Sequence, residues 1–360
     1  MLVLKVKFRR VTCKHLENIQ FIIRLLIMLG YFILATVVIF IIVCLTLLII
    51  TTRFGHLKCE SYECLIGKTA VVTGGSSGIG YQIVLSLASR GCKVIIIDRI
   101  VDESIKNSIV EETDNPNISL EYADLASFKS VRRVAQKLNK TEEKLDILIN
   151  NAGIGLSKGE LTEDGLQPTM QINYYSHFLL THLLIDLLKK SGKGKIVFTS
   201  SLLSFVHMLL PSLSKQDNLD PPNWLDWLAY TNTKFLTIVA SDIFAEKLKK
   251  FNITCNTYHP SVANTTIFSK SEKNLENILD WSFFQFLKFL VFVGAIHPKL
   301  ACQPALLLSV SKEYEKVTGI FYGNFLPKLK PRGCGNKKFC KNIWEISENI
   351  VKLEPEEILQ

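Results

Sequence analysis

The chain of 360 residues contains no internal repeat and no low-complexity tract, which excludes solenoids, propellers and flexible low-complexity scaffolds. Its nine cysteines are scattered without the short paired spacings of zinc ligands, so no metal site is expected. An odd number cannot be fully paired in disulfides. Cys92 and Cys255 stand at the starts of apolar segments, as ordinary thiols of a reducing compartment do, and Cys334 and Cys340 of the tail read the same way. Charge is absent altogether from residues 25–52, a run of 28 between Arg24 and Arg53 dominated by Leu, Ile, Val, Phe and Met. Roughly 20 such residues cross a bilayer as a helix. No small-x-small cleavage site follows clearly, so the run reads as a retained transmembrane anchor rather than a signal peptide. Basic excess is scarce outside the flank before it. Residues 1–24 carry six Lys/Arg against Glu17 alone, a net +5, leaving +4 of the chain's +9 for everything else. The basic balance therefore reports on membrane orientation and gives no reason to expect nucleic acid.

What is present is concentrated in two short segments. The first, Thr73-Gly74-Gly75-Ser76-Ser77-Gly78-Ile79-Gly80, lies between an apolar strand over 65–72 and a helix. Gly74 permits a tight turn, Gly78 lets the main chain approach phosphate oxygens, and Gly80 lets the helix pack closely on the strand. The helix start offers unpaired N–H groups and the positive end of its dipole to a dinucleotide pyrophosphate. A second strand, Lys93 to Ile97, ends at Asp98, 18 residues beyond Gly80, where a carboxylate can accept hydrogen bonds from the adenosine ribose. Asp98 repels a ribose 2′-phosphate and Arg99 attracts one, but residues 75–77 carry no basic side chain to help hold it. The balance favours NAD(H) over NADP(H). The plain alternative is that Asp98 and Arg99 are a solvated strand end.

The second segment is Tyr230-Thr231-Asn232-Thr233-Lys234. Ten tyrosines in a lysine-rich chain produce about one Tyr-x-x-x-Lys by chance, so the spacing proves nothing alone. On a helix, however, positions i and i+4 share a face and both heads can point at one ligand. A free phenol has a pKa near ~10; a nearby ammonium, with a positive nicotinamide, stabilises the phenolate and pulls that value down. Between the two segments lie Asn173 and Ser201, the further polar groups that carbonyl/alcohol chemistry needs. Each has a plain alternative: Ser200 and Ser201 as strand-end serines, Asn150-Asn151 as a turn, Asn173 as a cap or a buried amide.

In order and spacing, these residues resemble the short-chain dehydrogenase/reductase family, most closely its membrane-anchored, retinol-dehydrogenase-like branch. The resemblance runs over 67–327 and is carried by Thr73 to Gly80, Asp124-Leu125, Asn150-Asn151-Ala152-Gly153, Asn173, Ser200-Ser201, Tyr230 to Lys234 and His259-Pro260. The stretch from Ile172 to His182 is especially like that branch. It implies Tyr230 as proton donor to a carbonyl or acceptor from an alcohol, and Ser201, the second serine of its pair, as hydrogen-bond partner of the reacting oxygen. It implies Asn173 as holder of a relay water reaching Lys234, and Lys234 as a ligand of the nicotinamide ribose. Gly74, Ser76, Ser77, Gly78, Ile79, Gly80, Asp98, Arg99, Asp124, Leu125, Asn151, Ala152, Gly153, Pro260 and Val262 would form the cofactor wall, with Tyr230 and Lys234 also touching it. One departure stands out: the family has glycine after the Pro260 position, and here it is Ser261, whose side chain could crowd the loop beside the nicotinamide.

Element order predicts the fold. Apolar strands near 69–74, 93–98, 119–123, 145–150, 195–200, 253–258 and 318–323 alternate with helical stretches, the pattern of a single-domain, doubly wound, Rossmann-type α/β parallel sheet. The organisation expected is a basic flank at 1–24, an anchor at 25–52, a linker at 53–66, the dehydrogenase domain at 67–327 and an extension at 328–360. Within that extension, Lys341 to Leu353 reads as an amphipathic helix packing on the domain. An endoplasmic-reticulum membrane is the expected location. Six basic residues before the span favour a cytosolic N-terminus, and sequons at Asn117, Asn139, Asn252 and Asn264 permit a lumenal domain. The thiols favour the opposite side, and the sequence leaves the choice open, as it does a homodimer.

The segment Trp281 to Val293 is too short for a second span. It reads first as a lid over a lipid pocket, then as an interfacial helix, then as core. With the insertion around Leu210-Pro211 and Pro221 to Trp224, it suggests a lipophilic substrate. The leading expectation is an oxidoreductase for a lipophilic alcohol/aldehyde pair, retinoid by analogy. A hydroxysteroid dehydrogenase and a cofactor-binding regulatory protein with little turnover are the rivals.

Overall fold

Seven short strands form the centre of the described structure: β1 (Thr69–Thr73), β2 (Lys93–Asp98), β3 (Ile118–Tyr122), β4 (Ile147–Asn150), β5 (Lys195–Thr199), β6 (Thr254–Tyr258) and β7 (Phe321–Tyr322). The computed structural model describes residues 58–155, 160–210, 219–220, 226–263, 278–323 and 329–359, together with Met28, Gly30, Thr36 and Thr46, which are helical. The chain divides into two units, Met1–Thr51 and Thr52–Gln360. Most of the expected anchor therefore lies outside the described residues, as do Pro211 and Pro221 to Trp224. Among the described residues, no helix is long and apolar enough to cross a membrane.

The strands form one sheet in the order β3-β2-β1-β4-β5-β6-β7, every pair parallel. All seven expected strands are present, but β7 is shorter than its apolar run. Gly319 adopts a φ of +71° and the Thr318 hydroxyl, rather than a main-chain carbonyl, accepts from the Cys255 amide at 3.0 Å. The regular ladder therefore begins only at Phe321.

Because successive strand residues point to opposite faces, the sheet divides its side chains between two cores. Val71, Ile95, Ile97, Leu148, Ile196 and Phe198 enter one; Ala70, Val72, Val94, Ile96, Ile149 and Val197 enter the other. Both faces are covered, and this is why the central strands β1, β2, β4 and β5 carry continuous apolar runs rather than alternating. The first core is closed by α3 (Phe128–Thr141), α4 (Ser176–Leu183), α6 (Asp226–Leu248) and α9 (Lys337–Ile350). The second is closed by α1 (Gly78–Ala88), α2 (Glu103–Thr113) and α8 (Gln303–Val310). Between them in the chain come α5 (Ile185–Lys190) and α7 (Ile278–Gly294).

The tail is more deeply embedded than a surface extension. Phe339, Ile343 and Trp344 of α9 are buried in the first core, each such side chain contributing about 2–3 kcal/mol by leaving water. Tyr174 and Ser347 bond hydroxyl to hydroxyl at 2.8 Å, and Arg132 bridges to Glu357 at 2.5 Å.

The strand order reverses direction between β1 and β4, and a doubly wound sheet opens a ligand crevice at such a point, beyond the carboxyl ends of its strands. Here the loops leaving β1 and β4 meet: a Cβ on Gly74 would stand 2.8 Å from Ala152 Cα. At the opposite edge of the sheet, an open concavity of about 1240 Å³ is lined by Ile66, Lys68, Arg90, Lys93 and Glu142 among others. Ion pairs from Lys68 to Asp146 and Lys93 to Glu142 occupy part of its wall, and none of the candidate site residues lies there.

Candidate active site

The crevice begins with the glycine loop. Gly74 and Gly78 have φ of +67° and +58°, conformations that disfavour a side chain. Gly80 packs on the carbonyl oxygen of Gly74, and a Cβ there would also stand 2.6 Å from Asn151 Nδ2. The helix thus starts close against the turn that precedes it and the β4 loop, and packs on β1 through Ile83, Val84 and Leu87. α1 then starts with no side-chain cap from Ser77 and no acidic residue in its first turn, whereas Asp102 and Ser127 cap α2 and α3 with their side chains. An N-terminus left without a side-chain acceptor suits an anion, so the loop fits a dinucleotide pyrophosphate.

The Asp98 carboxylate closes the loop from β2. It accepts from the Ser76 amide at 3.2 Å and the Ile100 amide at 3.3 Å, while Arg99 is exposed. Asp124 follows β3 and accepts from the Ala126 amide at 2.9 Å; Leu125 beside it is buried. Asn151 donates through Nδ2 to the Thr73 carbonyl at 3.2 Å. At the far side, the Val262 carbonyl accepts from Ile296 at 2.8 Å, tying the loop after Pro260 to the end of α7. Ser261 has a φ of +61°, the left-handed region that favours glycine, and its amide donates to His259 Nδ1 at 3.1 Å.

The two serines after β5 separate in space. Ser200 is buried and its hydroxyl donates to the Lys234 main-chain oxygen at 2.6 Å. Ser201 begins a 3₁₀ turn over Leu202–Val206, accepts from the Leu203 amide at 3.2 Å, and hydrogen-bonds the Tyr230 hydroxyl. Tyr230 and Lys234, both on α6, are nearly fully buried, and the ammonium stands 5.5 Å from the Tyr230 ring centroid. The Lys234 Nζ donates to the Thr199 carbonyl at 3.0 Å.

Burial governs the ionisation of both. It pushes the Tyr230 phenol up to about 12, against the Ser201 hydrogen bond, which lowers it. It pushes the Lys234 amine down to about 8. In the protein alone, desolvation thus outweighs the expected pull of the ammonium on the phenol, because leaving water penalises the charged form of each.

Asn173 sits in a π-helical turn over Gln171–Tyr175 that leads into α4, a local widening often found at functional sites. Its carboxamide forms two bonds with Ile154, accepting from its amide at 2.8 Å and donating to its carbonyl at 2.9 Å. Gly153 lies between this side chain and the lysine: a Cβ there would meet Asn173 Oδ1 at 3.2 Å and Lys234 Nζ at 3.9 Å.

Sequence reasoning met several residues here only as parts of longer segments and gave them no individual role. Thr199 holds Lys234, and Phe284 of α7 is buried in a small apolar cluster with Tyr230, joined by Leu203 and Trp227. Its neighbours Trp281, Phe286, Phe289 and Phe292 on the same helix are exposed. Thr73 and His177 join the two loops to Asn173. The spacing of four from Asn173 to His177 on one helical face was the available signal; Phe284 lay within the expected lid, but nothing local singled it out from the other aromatic residues there.

A fold of this topology, with an open helix start beside a paired phenol and amine, is that of a nicotinamide-dependent alcohol dehydrogenase/reductase. The chain belongs to the short-chain dehydrogenase/reductase family, among its retinol-dehydrogenase-like members. The family model described as short chain dehydrogenase matches residues 68–213. Retinol dehydrogenase 13 of Mus musculus is 33% identical over 298 residues, 82% of this chain and 87% of that one. Retinol dehydrogenase 14 of Homo sapiens is 30% identical, covering 80% of this chain and 87% of that one. Among solved structures, an uncharacterised protein from Mycobacterium Paratuberculosis superposes with a TM-score of 0.62 at 22% identity, over 83% of this chain and 98% of that one. L-sorbose reductase from Gluconobacter frateurii superposes with a TM-score of 0.58 at 23% identity, over 73% and 96%.

Proposed function

We propose that the protein is a membrane-anchored oxidoreductase that interconverts a lipophilic alcohol, retinoid-like in character, with its aldehyde or ketone, using NAD(H). The observation that carries this reading is the Tyr230 hydroxyl, bonded to Ser201 and enclosed with Phe284, Leu203 and Trp227. A polar head in an apolar pocket suits a substrate that is hydrocarbon except at its reacting carbon.

In this reading Tyr230 holds the transferable proton, giving it to a carbonyl oxygen or taking it from an alcohol. Ser201 donates to the same oxygen as charge develops on it. Lys234, held at the Thr199 carbonyl, lowers the cost of ionising Tyr230 when the amine is charged. Asn173, pinned by Ile154, keeps the relay side of the pocket in place. Gly74 to Gly80, Asp98, Asp124, Asn151 and Gly153 hold the dinucleotide, with Pro260 and Val262 beside the nicotinamide; when bound, it supplies or accepts hydride. The α7 helix acts as a lid: Phe284 closes on the tyrosine, while the aromatic side chains on its outer side face the lipophilic phase.

Three relatives named retinol dehydrogenase support the substrate class. Asp98 supports NAD(H), since its carboxylate stands where a 2′-phosphate would be repelled. Retention of the Asn173, Ser201, Tyr230 and Lys234 set speaks against a binding protein without turnover.

The test is hydride transfer by the detergent-solubilised full chain, with NAD(H) and NADP(H) compared, on retinol/retinal, hydroxysteroid/ketosteroid and fatty alcohol/aldehyde pairs. Turnover of retinoids with NAD(H) preferred, and loss of that preference in Asp98→Ala, is the expected result. Selective steroid turnover would replace the substrate assignment, and tight NAD(H) binding without turnover would replace the activity itself. Phe284→Ala is expected to raise KM for a long lipophilic alcohol more than for a short one.

A further inference from the structure

His177 is buried at the second position of α4, four residues beyond Asn173. Its Nδ1 lies 3.3 Å from the main-chain oxygen of Asn173, and its Nε2 lies 2.9 Å from Thr73 Oγ1. A carbonyl only accepts, so Nδ1 carries the ring proton and Nε2 is the acceptor. The Thr73 hydroxyl then donates to Nε2. It also accepts from two main-chain amides of the β4 loop, Asn151 at 2.9 Å and Ala152 at 3.0 Å. With one donor and two acceptor positions in use, the threonine hydroxyl is fully committed; the Ile149 carbonyl at 3.5 Å is the weaker target for its proton.

These bonds run in one direction, from the β4 loop through Thr73 and the imidazole to the Asn173 carbonyl, and aligned bonds of this kind polarise one another. A second proton on the ring would break the run at Thr73. Burial opposes that proton, holding the His177 pKa down at about 4; the hydrogen bond to Asn173 works the other way, and the charge of Lys234 adds to the lowering. A leucine is close to histidine in size but could make neither of these two bonds.

We propose that His177 is a positioning residue: a neutral, Nδ1-protonated imidazole that clamps the Asn173 main chain to the junction of Thr73, Asn151 and Ala152. It thereby sets the spacing between the relay side of the pocket and the cofactor wall. The inference rests on the dehydrogenase reading of this site and deepens it. His177 acts through Asn173, whose carboxamide faces Lys234 across Gly153, and not on the reacting atoms.

The test compares His177→Leu, which keeps bulk only, with His177→Gln, which keeps one donor and one acceptor, in the solubilised full chain. His177→Leu is expected to lower kcat between about 10- and 100-fold, the range that a displacement of about 1 Å produces. The pH profile of kcat/KM should move to higher pH, because the relay side no longer supports Tyr230 ionisation, while NAD(H) affinity changes little. His177→Gln should recover most of the activity and the parental profile. Equal losses in both variants, or a parental rate and profile in His177→Leu, would overturn the proposal. If the leucine variant does not fold, Thr73→Val against Thr73→Ser poses the same contrast from the other end of the bond. If the parent turns over no substrate, the dehydrogenase reading fails, and the clamp is judged separately by ¹⁵N-histidine spectra of the full chain. The resonance missing from His177→Gln should then be a neutral Nδ1–H ring that does not titrate from about pH 5 to 8. An Nε2–H ring, or titration within that range, would overturn it.

Discussion

Gly80 lies directly on the carbonyl oxygen of Gly74, and a β-carbon on Gly80 would also stand 2.6 Å from Asn151 Nδ2. Both neighbours belong to the floor of the proposed cofactor site, and the first is main chain that cannot swing aside. Gly80→Ala is therefore expected to destabilise the protein by about 1–3 kcal/mol and to weaken dinucleotide binding. Urea unfolding and an NADH fluorescence titration measure the two effects; an unchanged midpoint together with unchanged affinity would refute the close-packing account.

Tyr230→Phe removes the hydroxyl that meets Ser201 and keeps the ring that packs with Phe284. Turnover is expected to fall by at least about 100-fold, with cofactor binding largely intact. Near-normal kcat in this variant would show that another group carries the proton.

Ser261 occupies a left-handed conformation at φ +61°, which costs a non-glycine residue about 1–2 kcal/mol. Glycine removes that strain but loses about 0.5–1 kcal/mol through greater unfolded-state freedom. Ser261→Gly is thus expected to raise stability by at most about 1.5 kcal/mol. Thermal unfolding checks the sign, and a clear loss of stability would mean that the serine hydroxyl matters more than its backbone strain.

Acid sensitivity follows from three histidines buried in neutral form. His177, His182 and His259 are each pushed from 6.5 down to about 4 by burial. As pH falls below about 6.5, the unfolded chain binds protons that the folded one refuses, so stability is lost progressively down to about pH 4. Each contributes a slope of up to about 1.4 kcal/mol per pH unit. Lys234 works at the other end: with its folded pKa at about 8 against 10.5, stability rises as pH climbs between those values. Urea midpoints at stepped pH should show the acid loss, and His177→Gln should flatten it by one histidine's share. An acid slope identical in the variant would place His177 outside the titrating set.

The strands were legible chiefly where a sheet covered on both faces needs apolar runs, as in β1, β2, β4 and β5, whereas β3 (ISLEY) and β6 (TCNTY) carry polar residues and were read from their place in the alternation. β7 was overestimated because Thr318 and Gly319 divert the ladder through a side chain and a turn, which hydropathy does not register. The tail helix was visible from its amphipathic spacing. It begins at Lys337, before the expected Lys341, where Asn336 caps it by accepting from the Phe339 amide at 3.1 Å. The glycine loop and the Tyr230–Lys234 pair were legible as local patterns. Nothing local distinguished Ser200 from Ser201: the assignment rested on resemblance, whereas in the folded chain one hydroxyl serves the α6 main chain and the other meets the phenol.

By itself the sequence determined the alternation of strands and helices, the turn at Gly74 and the shared face of Tyr230 and Lys234, since each depends on residues within a few positions of one another. The tertiary structure alone decided what surrounds that face. Phe284 reaches Tyr230 from a separate helix, Thr199 holds Lys234 from β5, and His177 joins Thr73 to Asn173 across the switch point of the sheet. Burial is a property of the assembled fold, so the reversal of the expected Tyr230 ionisation could emerge only there: the same phenol beside the same amine is harder to charge once both have left water.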